Sequence, residues 1–236
     1  MVRQKYSQAA VSGTSDRPLE RTLVEVYQHL MDYYGPQHWW PGDSSFEVIV
    51  GAILTQSAAW GNVEKAISNL KNAGALSPSS LREITLEELA HLIYPSGYYN
   101  AKALKLKSFV EHLGSAHQDS LEQLFVLDIC SLRSELLSIH GIGDETADSI
   151  ILYAARKPIF VIDAYTRRII ARLGLNPPRN DYAAFQSLFM ENLPADEKLF
   201  NEYHALLVRH GKEVCKKSPL CAQCCLNSRC LRLFPI

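Results

Sequence analysis

The sequence predicts an all-α protein of many short helices, and three observations predict it. Apolar residues return at three-to-four spacing along most of the chain, as on a helix with one buried face. Hydroxyl and carboxylate residues suited to helix capping, with Gly and Pro, cut that periodicity into short pieces. Nothing alternates with the two-residue period of a strand. The 236 residues are 47% hydrophobic and 21% charged, enough for one large domain or two small ones with proper cores.

Each element has its own signals. Ser15 or Asp16 is placed to cap a first helix with Pro18 in its opening turn, and "LERTLVEVYQHLMDYYG" carries it to Gly35. The polar stretch before it, residues 1–17, reads as a flexible tail; it lacks the apolar core of a secretory signal, which places the protein in the cytoplasm. "SSFEVIVGAILTQSAAWGNVEKAISNLKNAG" suggests a capped, largely buried helix, a polar break near Gln56 to Gly61, and a second helix ending at Gly74. "SPSSLREI" and "TLEELAHLI" each start on a capping hydroxyl and predict two short helices. "PSGYYNAKALKLKSFVEHLG" is a turn and then a helix; "SLEQLF" and "DICSLRSELLSI" follow, with Cys130 expected as a small buried apolar residue. "FVIDAYTRRIIARLG" suits a helix after Asp163, and "YAAFQSLFMENL" and "EKLFNEYHALLVRHGKEVC" are two more. No apolar run approaches the ~20 residues of a membrane span.

Formal net charge is −1, so nucleic acid would have to be met by a local basic patch and not by the whole surface. In "IHGIGDETADSIIL", Gly141 and Gly143 precede an apolar-periodic run. Such a turn bares backbone N–H groups at a helix start, which suits a DNA phosphate; it is also what a plain tight turn looks like. Asp144 and Glu145 complement the dipole of the helix they begin.

Five of six cysteines lie between Cys215 and Cys230, as C-x5-C-x2-C-x5-C through Cys215, Cys221, Cys224 and Cys230. Four thiolates held by tight local loops enclose either a tetrahedral zinc or an iron–sulfur cube, and spacing does not choose between them. Cys225 beside Cys224 leaves the register open.

The hairpin, the Asp some twenty residues later in "VIDAYTRRI", and the four-cysteine loop after "HALLVRHGKEVC" resemble the endonuclease III family of helix-hairpin-helix DNA glycosylases. "LTQSAAWGNV" and "SGYYNAKA" are similar to its Gln-bearing and Gly-Tyr-Asn turns, so the resemblance covers nearly the whole chain after the tail. One departure is the first cysteine gap, five residues where the family usually has six. The resemblance implies two all-helical lobes around a cleft: residues 37–157 as a six-helix barrel bearing the hairpin, and 18–36 with 158–236 as the other. It also implies a [4Fe-4S] cluster, room for a monovalent cation at the hairpin, and monomeric action on double-stranded DNA with a damaged base.

The resemblance assigns roles as well. Asp163 matches the catalytic carboxylate, while remaining readable as a helix N-cap. Glu145 stands where strand-cleaving members have a Lys, and a carboxylate forms no Schiff base, so the chain is expected to remove a base with water alone. Trp39, Trp40 and Pro41, with Trp60, are similar to an element of the 3-methyladenine glycosylases of this kind, whose cationic bases suit indole faces; core aromatics are the plain alternative. Gln56 and Tyr98 would fill the gap left by a flipped base, and Lys216, Lys217 and Arg229 would grip phosphates. His204 and His210 are expected as structural histidines, and Lys212 lies near the cleft without an assigned role. Two other readings remain: a pyrimidine or mismatch glycosylase with or without lyase action, and a non-catalytic damage binder.

Overall fold

The computed structural model describes residues 19–232. The tail 1–17 and the capping group Ser15, Asp16 and Pro18 lie outside the described residues. Twelve α-helices follow in chain order, with no strand among the described residues. They are α1 (Leu19–Tyr34), α2 (Ser45–Leu54), α3 (Trp60–Asn72), α4 (Pro78–Glu83), α5 (Leu86–Leu92) and α6 (Tyr99–His117). Then come α7 (Leu121–Phe125), α8 (Ile129–Ser138), α9 (Asp144–Ser149), α10 (Ala164–Leu173), α11 (Tyr182–Met190) and α12 (Glu197–Glu213).

The caps explain why helices begin where they do. Ser44 accepts from the Glu47 amide at 3.2 Å, Thr85 and Glu88 form a reciprocal capping box, and Asp181 and Asp196 accept at 2.8 and 3.0 Å. Each such cap is worth about 1 kcal/mol. Helix α2 is buried at every position from Phe46 to Leu54, because α3, α6, α9 and the turn after α9 close around it. That turn, Ile150–Ala154, is a π turn continuing α9, a feature found often at functional sites.

Helices α4 and α5 pack on α6, and α8 packs on α9, so the hairpin belongs to the cluster around α2. Helix α12 packs against α10 and α1 and touches the π turn, bringing the two groups together. Tyr203 donates to the Leu23 carbonyl at 2.9 Å, and Phe160 stacks on Phe189 at 3.8 Å between centroids.

Two ionic contacts differ in weight. Lys71 meets Asp43 at the surface, where a pair is worth about 0–1 kcal/mol. Arg133 grips the fully buried Asp148 at 2.7 Å across the hairpin, with Gln186 adding 2.7 Å; removing one partner of a buried pair costs about 3–5 kcal/mol. Lys102 is also buried, donating to the carbonyls of Leu54 at 2.8 Å and Ser96 at 2.6 Å. Burial, then the neighbouring Lys105, push its pKa down to about 8.

One expectation fails here. Cys130 is exposed and not buried, since it stands in the first turn of α8 while Leu132 and Leu136 take the core side.

Candidate active site and cysteine loop

Asp163 heads α10. Its Oδ1 accepts from the Thr166 amide at 2.7 Å, so the side chain is the helix cap, and it is 9% exposed. The cap fixes the carboxylate and leaves Oδ2 facing His204, whose Nε2 is 3.9 Å away, beyond hydrogen-bond reach. His204 Nδ1 bonds the Tyr153 hydroxyl, while its buried Nε2 has no protein partner. Burial pushes the imidazole pKa down, so the ring is neutral near pH 7. A neutral ring accepting from Tyr153 at Nδ1 carries its proton on Nε2, aimed at Asp163.

Glu145 opens α9 across from Asp163. It keeps solvent contact, yet the protein around it and then the Asp163 charge push its carboxyl up to about 7, with Arg167 opposing. The two carboxyls thus lie close enough for the charge of one to oppose ionisation of the other.

The three tryptophans form one group. Ring centroids are 5.2 Å apart for Trp39 and Trp40, 5.5 Å for Trp39 and Trp60, and 5.2 Å for Trp40 and Trp60. Trp40 leans on Gly51, where a Cβ would approach its indole nitrogen to 3.2 Å, and it meets Tyr153 at 5.3 Å. All three are half-buried, with Pro41 exposed beside them. Trp39 Nε1 is buried with no partner, and the Lys212 ammonium lies 5.8 Å from the Trp39 ring. Tyr153 therefore links the tryptophans to His204 and Asp163. Nothing in the sequence singled it out, because it is embedded in the apolar run "SIILYAA".

At the hairpin, Gly141 has φ +84°, and a Cβ there would strike the Lys105 stem at 2.2 Å. Gly143 meets nothing within 4 Å, so its lack of a side chain leaves the start of α9 open to an approaching backbone. Gln56 is tied down in this conformation: its amide nitrogen donates to the Gly141 carbonyl at 3.1 Å and the Thr146 hydroxyl at 2.9 Å, and Lys105 holds its oxygen. Tyr98 is different. It adopts a left-handed backbone, φ 47°, before α6, and its ring is 74% exposed.

The cysteine loop closes over α10 and α12. Cys215, Cys221, Cys224 and Cys230 line one hollow with Arg172 and Val214, whereas Cys225 does not. Of the adjacent pair, Cys224 is therefore the one that faces the other three. Arg172 donates to Cys215 Sγ at 3.2 Å and to the carbonyls of Lys216 at 2.6 Å and Lys217 at 3.0 Å. His210 stands 3.5 Å from Cys224 Sγ and bonds Tyr34 at 2.9 Å. Burial, with the neighbouring thiols adding, raises the pKa of Cys224 and Cys230. Four converging sulfurs with cationic and imidazole neighbours fit a metal centre, which would take the thiolates' charge.

Lys216 and Lys217 are exposed as expected, but Arg229 is a correction. Its guanidinium turns inward, to Glu25 at 2.5 Å and His29 at 2.9 Å on α1, and so staples the loop instead of standing ready for a phosphate. The partners lie some two hundred residues away, which no local pattern reveals.

Comparison with known proteins accords with this geometry. The model of the HhH-GPD superfamily base excision DNA repair protein matches residues 50–195. A candidate DNA repair glycosylase of Methanocaldococcus jannaschii is 44% identical over 213 residues, covering 89% of this chain and 96% of that protein. The endonuclease III of Sulfolobus acidocaldarius is 30% identical over 187 residues, covering 78% of this chain and 81% of that one. Among solved structures, the H. pylori 3-methyladenine DNA glycosylase MagIII bound to 1,N6-ethenoadenine has a TM-score of 0.72 at 26% identity, over 84% of this chain and 98% of that one. A non-covalent endonuclease III–DNA complex shares the fold, with a TM-score of 0.77 at 20% identity, over 89% and 94% of the chains. This chain belongs to the HhH-GPD superfamily of base excision DNA repair proteins.

Proposed function

We propose that this DNA glycosylase is monofunctional, hydrolysing the N-glycosidic bond of alkylated purines such as 3-methyladenine in double-stranded DNA. The observation that carries the reading is that Glu145 lies near enough to Asp163 to feel its charge, a carboxyl where a strand-cleaving enzyme needs an amine. The duplex would be opened by flipping the damaged nucleotide, at a cost of a few kcal/mol, with the exposed Tyr98 ring entering the gap. Gln56 would have to release its hairpin bonds to assist. Gly141 and Gly143, with Lys216 and Lys217, would meet phosphates. A monovalent cation at the hairpin would take backbone carbonyls there, of which that of Gly141 already accepts from Gln56.

The alkylated base carries positive charge, which the indole faces of Trp39, Trp40 and Trp60 attract. As the C–N bond breaks, its electron pair goes to the purine, which leaves neutral and needs no proton. The Asp163 carboxylate stabilises the cationic sugar and orients the water that adds to it, taking the water's proton. The Thr166 amide holds one oxygen of that carboxylate, and His204, fixed by Tyr153, faces the other. Cys215, Cys221, Cys224 and Cys230 would hold a [4Fe-4S] cluster, a brace for the C-terminal loop.

Incubation with methylated DNA should release free 3-methyladenine, and no release from any alkylated substrate would defeat the reading. A specific observation favours a second one: the Lys212 amine stands at the Trp39 edge of the site, an endonuclease III-like lyase's requirement. Borohydride trapping of a covalent protein–DNA adduct, lost in Lys212→Ala, would establish it.

A further inference from the structure

Away from Asp163 and the tryptophans, three side chains of metal-binding type converge. His112 and His117 are on α6 and Glu135 is on α8, and their ligand atoms all lie within 4.8 Å of one another. His112 Nε2 is 2.7 Å and His117 Nε2 is 2.5 Å from the same oxygen, Glu135 Oε1. We propose that this triad is a binding site for one divalent transition-metal ion, with Zn2+ the class of ion it fits.

The donor set makes the choice. Two imidazoles and one carboxylate suit zinc and its neighbours, whereas Ca2+ and Mg2+ call for oxygens throughout. In a tetrahedral zinc site with bonds near 2.0–2.1 Å, ligand atoms stand about 3.3 Å apart. The two imidazole nitrogens lie 2.7 and 2.5 Å from the shared oxygen, a little closer than that, so small rotations of the three side chains would open the site, and a water would complete it. All three groups are half-buried, which allows an ion to enter while ordering the side chains.

The convergence is not a by-product of helix periodicity. Positions five apart on a helix differ by about 140° in direction, so the two rings come round to Glu135 from different sides. His117 is the last residue of α6, and the turn after it is held by Arg82, which grips Asp119 through both carboxylate oxygens. That grip fixes the outlying ring. The metal would join the helix that begins beside Tyr98 to the first helix of the hairpin. Among the described residues these two helices otherwise rest mainly on other neighbours.

The test is titration of Zn2+ into the full chain carrying its iron, with iron assayed before and after so that the thiols are excluded as the site. One Zn2+ per chain should bind without loss of iron and raise the melting temperature. The double variant His112→Asn, His117→Asn, which keeps hydrogen-bonding groups against Glu135, should bind it more than about tenfold more weakly. Glu135→Gln should weaken binding too, with its unliganded melting temperature near wild type. Equal uptake by wild type and the double variant, no uptake by either, or uptake only with iron loss would each overturn the proposal.

Discussion

The cysteine loop and the tryptophan group beside Asp163 both contain buried polar groups, and they differ in where the partners of those groups come from. In the loop, distant residues supply partners: Arg172 to Cys215 and two loop carbonyls, Arg229 to α1, His210 to Cys224 and Tyr34. Beside Asp163 and the tryptophans, His204 Nε2 and Trp39 Nε1 are buried with no protein partner, and two carboxyls are set against each other. The loop takes its shape from partners that other helices bring to it, whereas beside Asp163 and the tryptophans two ring nitrogens find no protein partner. Buried unpaired polar atoms cost about 1–3 kcal/mol each, so they persist where something other than stability is served.

Mutation can separate the two. Asp163→Asn should lower single-turnover release of 3-methyladenine by about 10²–10³-fold, with the melting temperature near wild type because Asn still caps α10. A stability loss as large as the activity loss would break the contrast. Cys224→Ser should do the reverse, removing iron and destabilising by about 4 kcal/mol, as loss of a metal site does, whereas Cys225→Ser should keep iron and melt normally. Equal iron loss in both would return the register to doubt.

Trp60→Ala should raise KM or lower excision of a cationic base by about tenfold, and change excision of a neutral base such as ethenoadenine less, as measured in parallel assays. The smallest effect belongs to Glu145→Gln. Wild-type kcat/KM should rise with pH through about 7 as the carboxyl ionises beside a cationic substrate, and the variant should be flat there. The stability sign is the opposite. A carboxyl raised from 4.5 to about 7 in the folded chain makes the unfolded chain release its proton first, so wild type should lose stability relative to the variant between those values.

Much of this arrangement was legible in the sequence where the signal is local. Capping residues marked most helix starts, Asp163 announced itself as a cap, and four cysteines at short spacing predicted one loop. What escaped depends on distant packing. Tyr153 reads as one more apolar position in a buried run, and only the π turn aims it at His204. Arg229 reads as a loop base until α1 folds beneath it. The triad of His112, His117 and Glu135 breaks helical spacing, so no periodicity points to it. Cys130 failed for the reverse reason, an apolar neighbourhood in sequence that one turn of helix rotates into water.

The buried Lys102 carries a consequence of its own. Its ammonium fastens the end of α2, just before Gln56, to the turn that presents Tyr98, so these two segments are clamped by one nitrogen. With a folded pKa of about 8 against 10.5 when free, the folded chain sheds this proton first, and stability gains as alkali is added across that interval. The fold should therefore gain stability under mildly basic conditions that loosen most proteins, even as the ammonium gives way to an amine that holds the two carbonyls less strongly.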